Sequence, residues 1–194
     1  MTTIGVLALQ GSVCEHINLL NQLPDVTSME VKTQKDLEEV DGIILPGGES
    51  TTISKLLKDF SLHEPLKERI QNGLPVWGTC AGLILLAKNI VGESPHLGVM
   101  DITVHRNAYG RQIDSFMDSH AIPPISETPI PLVFIRAPWI ESVGENVRTL
   151  LTLEGHIVAA QEGNRLATSF HPELTANTAF HAYFAKLCKE YRNI

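Results

Sequence analysis

The chain is organised around the segment Val76-Trp77-Gly78-Thr79-Cys80-Ala81-Gly82-Leu83-Ile84-Leu85-Leu86-Ala87. An apolar run typical of a buried strand leads into a short Gly-Thr-Cys-Ala-Gly turn, and an apolar run of helical character follows. A sharp turn from strand to helix needs small residues beside its central side chain, because the backbone is crowded there. Cys80 is therefore predicted to project at a helix N-terminus, where the dipole favours an anionic thiolate. Taken alone, Cys80 is equally well explained as a buried core cysteine.

The residues before this segment alternate between strand and helix patterns. Short apolar runs predict strands buried on both faces, at Ile4–Leu9, Val26–Val31, Gly42–Leu45 and Pro75–Thr79. Between the first and second runs, Ser12-x-x-Glu15 predicts a capping box that opens a helix. Between the second and third runs, Asp36–Val40 predicts a shorter helix. This alternation favours a largely parallel sheet with right-handed crossovers.

Three short polar or glycine-rich sites follow directly on predicted strands: Gln10-Gly11, Gly47-Gly48 and Cys80. Since ligands bind beyond the carboxyl ends of the strands in such sheets, we expect these sites to share one rim. The loop Gly47-Gly48-Glu49-Ser50-Thr51 lacks the lysine of a P-loop, and its glutamate would repel phosphate. Its glycines can instead present backbone N–H groups to a ligand.

The pattern changes from Val99 onward, where short alternating patches replace the long helical stretches. Leu150–Leu153 and Ile157–Gln161 predict a β-hairpin, and Arg165–Phe170 predicts another strand. The last helix carries Cys188 on its apolar stripe, so that this cysteine is expected to be structural. We find no linker or internal repeat and predict a single α/β domain over residues 1–194.

The bulk composition excludes several classes of function. A net charge of -7 with scattered basic residues argues against nucleic acid or an anionic membrane as partner. The three cysteines form no CxxC pair, so neither a metal site nor a disulfide framework is predicted, and no cofactor is implied. The chain shows no signal peptide and no apolar run of membrane-spanning length, which favours a cytoplasmic location.

A second informative motif, His171-Pro172-Glu173, follows the last predicted strand. Residues two apart in an extended segment point to the same face, so the imidazole and the carboxylate are expected to meet. A cysteine nucleophile needs a histidine to move protons, and a carboxylate can fix the tautomer of that histidine. Cys80, His171 and Glu173 thus supply a complete catalytic triad. His16, His63 and His181 lie on predicted helices and are expected to be solvated or structural, and Cys14 is expected to be packed.

The combination of these motifs resembles the class I, triad-type glutamine amidotransferases. Within that class, the whole chain is similar to the glutaminase subunits of pyridoxal 5'-phosphate synthases. The similarity is carried by Ile4–Gly11, Pro46–Thr52, Arg106–Gln112, Phe134–Pro138 and Ser169–Leu174.

The resemblance implies a flavodoxin-like three-layer fold and hydrolysis of L-glutamine to glutamate and ammonia through a glutamyl thioester. It implies a hetero-oligomer in which the ammonia passes to a synthase subunit, with Gln10 on the rim that faces this partner. Gly47, Gly48 and Ala81 are then expected to form the oxyanion hole. The residues expected around the glutamine are Gly48, Glu49, Ser50, Arg106, Ile135 and Arg136.

Three alternatives to this interpretation are disfavoured by particular residues. A glutaminase subunit of another assembly, such as imidazole glycerol phosphate synthase, is disfavoured by the Gly-Gly-Glu-Ser-Thr-Thr loop and the Arg-Asn motif. A catalytically silent subunit that only regulates a partner is disfavoured because all three members of the triad are present. A DJ-1-like cysteine protein would not need His-Pro-Glu after its last strand.

Overall fold

The computed structural model describes residues 1–106 and 115–192. Its helices are α1 Val13–Leu20, α2 Gln34–Glu38, α3 Ser50–Asp59, α4 His63–Gln71, α5 Ala81–Leu86 and α6 Ala179–Arg192. The first strands are β1 Thr2–Leu7, β2 Val26–Val31, β3 Gly42–Leu45 and β4 Val76–Thr79. The later strands are β5 Ala87–Ile90, β6 Met100–His105, β7 Ser115–Ile122, β8 Ser126–Ile135, β9 Trp139–Val143, β10 Arg148–Leu153, β11 His156–Glu162 and β12 Arg165–Thr168. A 3-10 turn at Pro172–Leu174 follows β12.

Within the described ranges, one ten-stranded sheet has the order β2-β1-β3-β4-β12-β11-β9-β6-β5, with β10 paired to β11. The strands from β2 to β12 along this order are parallel. The pairings of β11 with β12, β9 and β10, and of β6 with β9, are antiparallel. β7 and β8 form a separate antiparallel pair. This topology confirms the predicted α/β class, with a parallel centre and antiparallel strands in the C-terminal half.

The central strands feed two cores because neighbouring residues point to opposite faces of the sheet. On one face, Ile43 and Leu45 of β3 join a core to which α2, α3, α4 and α5 contribute. On the other face, Ile44 joins a core with residues of α1, α6 and the β7–β8 pair. The sheet is therefore the middle of three layers, and apolar residues fill both of its interfaces.

Several local predictions were wrong in detail. Ser12 makes no capping hydrogen bond to α1, because its hydroxyl donates to Glu173 instead, so there is no capping box at Ser12 and Glu15. The capping box lies one helix later, where Thr33 and Asp36 cap α2 and start it earlier than expected. Cys14 is exposed rather than packed.

Two further expectations concern Cys188 and the Arg106–Gln112 motif. Cys188 is fully buried, as predicted. Of the Arg106–Gln112 motif, only Arg106 belongs to the described residues. Among the helices of residues 1–106 and 115–192, none has the length and apolar character needed to cross a membrane.

The packing of α6 on the sheet yields a stability prediction. A Cβ atom added at Gly42 would lie 2.2 Å from Sγ of Cys188, so Gly42→Ala overfills this interface. We expect Gly42→Ala to lower the free energy of unfolding by about 1–3 kcal/mol. Cys188→Ala removes the sulfur and should cost about 1 kcal/mol.

The double variant is the control, because the new methyl group then occupies the space that the sulfur leaves. Urea denaturation should show that Gly42→Ala with Cys188→Ala is less destabilised than the sum of the two single variants. Simple additivity would mean that the two positions do not compete for the same space.

Candidate active site

Cys80 occupies a strained turn between β4 and α5. Its backbone has φ 49 and ψ -102, a conformation that is uncommon for a residue other than glycine. A Cβ atom at Gly78 would lie 2.4 Å from the backbone of Gly82, and one at Gly82 would lie 2.0 Å from the carbonyl oxygen of Leu45. The flanking glycines are thus required by close backbone approach. This is the geometry of a nucleophile elbow, as the sequence predicted.

His171 and Glu173 lie next to this elbow because β12 pairs in parallel with β4. Thr168 is opposite Thr79 in the register of the two strands, and both chains leave the sheet at the same edge. The backbone N–H of His171 donates to the carbonyl oxygen of Val133 at 2.8 Å, which ties this segment to β8. The sequence predicted an extended segment here, but a 3-10 turn begins at Pro172 instead. The predicted contact nevertheless forms, with Nδ1 of His171 2.7 Å from Oε1 of Glu173.

The pKa values of His171 and Glu173 are shifted in opposite directions, and each shift favours the charged form of its group. Burial alone lowers the pKa of His171, but hydrogen bonding to Cys80 and Glu173, together with their negative charges, raises it to about 10. Burial alone raises the pKa of Glu173, but His16, His171 and the hydroxyl of Ser12 lower it to about 2. An imidazolium at His171 next to an ionised Glu173 is therefore the stable state of this pair at neutral pH.

Sequence reasoning missed two residues next to Glu173. The hydroxyl of Ser12 donates to Oε1 of Glu173 at 2.7 Å. Nε2 of His16 lies 3.5 Å from Oε2 of the same carboxylate, and both side chains of this pair are buried. The sequence contained one indication of this arrangement. Ser12 and His16 are four residues apart at the start of α1, so they lie on the same side of the helix that follows β1.

A pocket of about 470 Å³ opens above the elbow. It brings together every predicted site residue except Glu173, which is buried beneath it. The rim and backbone positions are Gln10, Gly47, Gly48 and Ala81. The other predicted residues that line it are Glu49, Ser50, Cys80, Arg106, Ile135, Arg136 and His171.

The Gly47-Gly48 loop is held close to the active side chains. A Cβ atom at Gly47 would lie 2.3 Å from the ring of His171, and one at Gly48 would lie 2.5 Å from Oε1 of Gln10. That oxygen of Gln10 accepts a hydrogen bond from the backbone N–H of Glu49 at 2.9 Å. Neither glycine has a positive φ, so close contact with the side chains of His171 and Gln10, and not an unusual backbone angle, disfavours a larger residue at these positions.

Glu49 and Arg106 form an ion pair at the wall of the pocket. Nη2 of Arg106 lies 2.7 Å from Oε1 of Glu49, and its Nη1 lies 2.9 Å from Oε1 of Glu93. The other oxygen of Glu49 accepts from the backbone N–H of Thr52 at 2.9 Å and so caps α3. Burial raises the pKa of Glu49, but the hydroxyls of the following threonines and the charge of Arg106 outweigh it and lower the pKa. Both carboxylate oxygens of Glu49 are thus engaged within the protein.

Arg136 lines the pocket from the turn that directly follows β8. It is an exposed residue with φ 42, and such a conformation often marks a functional position. The carbonyl oxygen of the preceding residue, Ile135, lies 3.9 Å from Sγ of Cys80. Among the described residues, no group of three or more histidine, cysteine, aspartate or glutamate side chains is arranged to hold a metal ion.

Comparisons with known proteins agree with this geometry. A family model for the SNO glutamine amidotransferase family matches residues 6–190. The chain is 57% identical over 185 residues to the pyridoxal 5'-phosphate synthase subunit PdxT of Clostridium botulinum, covering 95% of this chain and 96% of that relative. It is 53% identical over 194 residues to the subunit of the same name from Streptococcus pneumoniae, with 97% and 98% coverage.

Solved structures extend the comparison to the fold. A crystal structure of a glutamine amidotransferase superposes with a TM-score of 0.90 at 43% identity, covering 96% of this chain and 98% of that one. A glutamine amidotransferase from Thermotoga maritima shares the fold with a TM-score of 0.63 at 18% identity, covering 97% of this chain and 85% of that one. With its family match and its relatives both spanning nearly the whole sequence, this chain belongs to the SNO glutamine amidotransferase family.

Proposed function

We propose that this chain is the glutaminase subunit of a pyridoxal 5'-phosphate synthase, which hydrolyses L-glutamine to L-glutamate and ammonia. The observation that carries the proposal is the position of Cys80, which shares one pocket with His171. Nδ1 of His171 in turn contacts the buried carboxylate of Glu173. We infer the assembly from the relatives, which are named as subunits of pyridoxal 5'-phosphate synthase.

The first half of the reaction uses the thiolate–imidazolium pair. Sγ of Cys80 attacks the side-chain amide carbon of glutamine, and a carbon–sulfur bond forms while the carbonyl oxygen becomes an oxyanion. His171 then donates its proton to the amide nitrogen, the carbon–nitrogen bond breaks, and ammonia leaves behind a glutamyl thioester. Because the pKa of His171 is raised to about 10, the proton is already in place when substrate arrives.

The second half of the reaction uses the neutral imidazole that the first half produces. His171 takes a proton from water, and the resulting hydroxide attacks the thioester carbon. Collapse of this intermediate breaks the carbon–sulfur bond, restores the thiolate and releases the new carboxylic acid, which loses its proton to water to give glutamate. His171 keeps the proton that it took from water for the next cycle. The carboxylate of Glu173 orients the ring through Nδ1 and stabilises its charged form throughout.

The oxyanion is assigned to backbone N–H groups around the elbow. The N–H of Ala81 is at the first turn of α5, where it has no partner within the helix and the dipole favours negative charge. The peptide of Gly47 and Gly48 provides the second donor. The carbonyl oxygen of Gly47 accepts from the N–H of Ser12 at 3.0 Å, so this peptide is fixed in one orientation in the free chain.

Recognition of glutamine is assigned to the charged walls of the pocket. Arg136 is the exposed cation available for the α-carboxylate, with Arg106 as a second cation already oriented by Glu49 and Glu93. Glu49 contributes negative charge near the α-ammonium group, and Ser50 lies next to it at the start of α3. We assign Glu49 a double role, because the same carboxylate also holds Arg106 and caps α3.

We assign the docking surface for the synthase subunit to the rim of the pocket, within a cytoplasmic hetero-oligomer. Gln10, Gly48 and Leu174 lie along this rim, and Leu174 is 44% exposed although it is a large apolar residue. Ammonia is protonated in bulk water at neutral pH and then no longer nucleophilic. A partner that covers the rim would receive ammonia before it is lost, and the net charge of -7 fits a protein partner better than nucleic acid.

Cys80→Ala should abolish glutamate release while leaving the fold intact, because it removes only the nucleophile. The loss of the thiolate should also lower the pKa of His171, which NMR titration would detect. Glutamate release and circular dichroism should be measured together. Cys14→Ser and Cys188→Ala are the matched controls and should retain turnover per folded molecule, while residual activity near wild type in Cys80→Ala would contradict the assignment.

Gly48→Val should lower kcat by roughly 10²- to 10³-fold, the usual effect of losing one oxyanion donor. The branched side chain would collide with Gln10 and prevent the Gly47–Gly48 peptide from reorienting. Gly155→Val is the control, because Gly155 has φ 84 in the β10–β11 turn and no neighbour within 4 Å. It should reduce stability without changing kcat, and an unchanged kcat in Gly48→Val would reduce the glycine pair to a simple turn.

The isolated chain should be a poor glutaminase that its synthase partner activates. We infer that a partner on the rim stabilises an orientation of the Gly47–Gly48 peptide in which its N–H faces the oxyanion, in place of the one held by the hydrogen bond from Ser12. Glutamate release should be assayed for the chain alone and with saturating synthase subunit. Equal kcat in the two assays, or release of free ammonia from the complex, would contradict this coupling.

A further inference from the structure

A buried polar cluster lies directly beneath Glu173, in the core between α1, α6 and the sheet. His16 of α1 and His181 of α6 are both 0% exposed. Nδ1 of His16 lies 2.9 Å from Nε2 of His181, and Nε2 of His16 lies 3.3 Å from Oγ1 of Thr79. Trp77 covers both imidazole rings edge-on. Two histidines in an apolar core need a reason, because burying polar groups costs free energy unless their partners are in place.

The carboxylate of Glu173 has an unequal set of donors. Oε1 receives two hydrogen bonds, from Nδ1 of His171 and from the hydroxyl of Ser12, each at 2.7 Å. Oε2 is buried and has no hydrogen-bond partner among the described residues. The nitrogen that faces Oε2 is Nε2 of His16, at 3.5 Å. The stability of the charged form of Glu173 therefore depends on whether Nε2 of His16 carries a proton or a lone pair.

Counting protons over the cluster determines the direction of its N–H groups. Burial lowers the pKa of His16, against the charge of Glu173 and, more weakly, of Glu15, while the charge of His171 lowers it further. Burial together with the charge of His16 lowers the pKa of His181 to about 3, against that of Glu173. Each ring is then neutral at pH 7 and carries one N–H.

Only one of the two possible chains of N–H groups suits the carboxylate. If His181 donates from Nε2 to Nδ1 of His16, then Nε2 of His16 carries the proton that faces Oε2 and Thr79. Nδ1 of His181, which has no partner among the described residues, is then a bare acceptor. In the reverse chain, a lone pair of His16 would face the carboxylate and a buried N–H of His181 would be left without an acceptor. The reverse chain is the costlier arrangement.

We propose that His16 is a positioning residue for the reaction, with its Nε2–H directed at Oε2 of Glu173 and its tautomer set by His181. The inference rests on the proposed glutaminase function and extends it to a residue that does not line the substrate pocket. Held at both oxygens, the carboxylate of Glu173 cannot rotate away from His171. His16 thus acts on Cys80 only through Glu173 and His171, without contact with glutamine.

The first test reads the ring tautomers of the wild-type chain without substrate. Long-range ¹H–¹⁵N NMR of the histidine rings distinguishes Nε2–H from Nδ1–H forms and from charged rings. We expect His16 and His181 to be neutral Nε2–H tautomers between pH 7 and 8. A charged His16 ring or an Nδ1–H tautomer would overturn the inference. This measurement does not depend on glutaminase activity, so its failure is distinct from failure of the proposed function.

The second test compares two amide substitutions at the same position. The side-chain nitrogen of Gln reaches the position of Nε2 in histidine, whereas that of Asn reaches only the position of Nδ1. Loss of a hydrogen bond to a charged group corresponds to roughly a 10- to 100-fold effect, so His16→Asn should lower kcat by that factor. His16→Gln should retain most of kcat, and KM should stay nearly unchanged in both variants. Both are assayed with saturating synthase subunit.

Cys188→Ala serves as the control for core damage, since it alters the same core without a contact to Glu173. It should lower stability while leaving both kcat and the pKa of His171 unchanged. In His16→Asn, NMR titration should show a lower pKa of His171, because the carboxylate of Glu173 is then free to rotate away from its ring. Equal losses of kcat in the Asn and Gln variants, or an unchanged pKa of His171 in His16→Asn, would reduce His16 to a packing residue.

Discussion

The buried negative charge of Glu173 is the constraint on which the site depends. Its side chain is fully buried, and an isolated carboxylate there would take up a proton. Donors from Ser12 and His171 keep it ionised, and these residues come from opposite ends of the chain. The N-terminal helix and the C-terminal turn are thus joined at one carboxylate. The same contact orients the ring of His171 next to Cys80, so that the packing of the chain and the geometry of the pocket depend on one group.

The order of the central strands explains why these distant segments meet. β4 and β12 are neighbours and run parallel, so the elbow and the His-Pro-Glu turn leave the sheet at the same edge. β3 lies on the other side of β4 and brings the Gly47–Gly48 loop to that edge. β1 pairs with β3 and adds Gln10 and Ser12. The pocket is therefore assembled from the ends of adjacent strands, as expected for a parallel sheet.

What the sequence interpretation got wrong or left out has a common physical cause. Ser12 has the residue type and spacing of a helix cap, yet its hydroxyl bonds to Glu173, a partner 161 residues away. His16 looks like an ordinary helical histidine, yet the fold buries it against the same carboxylate. Glu49 was expected to serve the substrate, and it also holds Arg106 and the start of α3. In each case a local pattern was correct about residue type and silent about the long-range partner.

The sequence by itself determined the class of fold, the elbow around Cys80 and the residues that line the pocket. The fold class and the elbow follow from periodicity and glycine spacing, which are local in the chain, whereas the residues of the pocket wall follow from the resemblance of the sequence to a known family. Only the tertiary structure decided how the carboxylate of Glu173 is held, which way the Gly47–Gly48 loop contacts Gln10 and why two histidines lie in the core. These features depend on distances and burial between remote segments. The free energy of a buried charge is set by all of its neighbours in space, and sequence order does not reveal which these are.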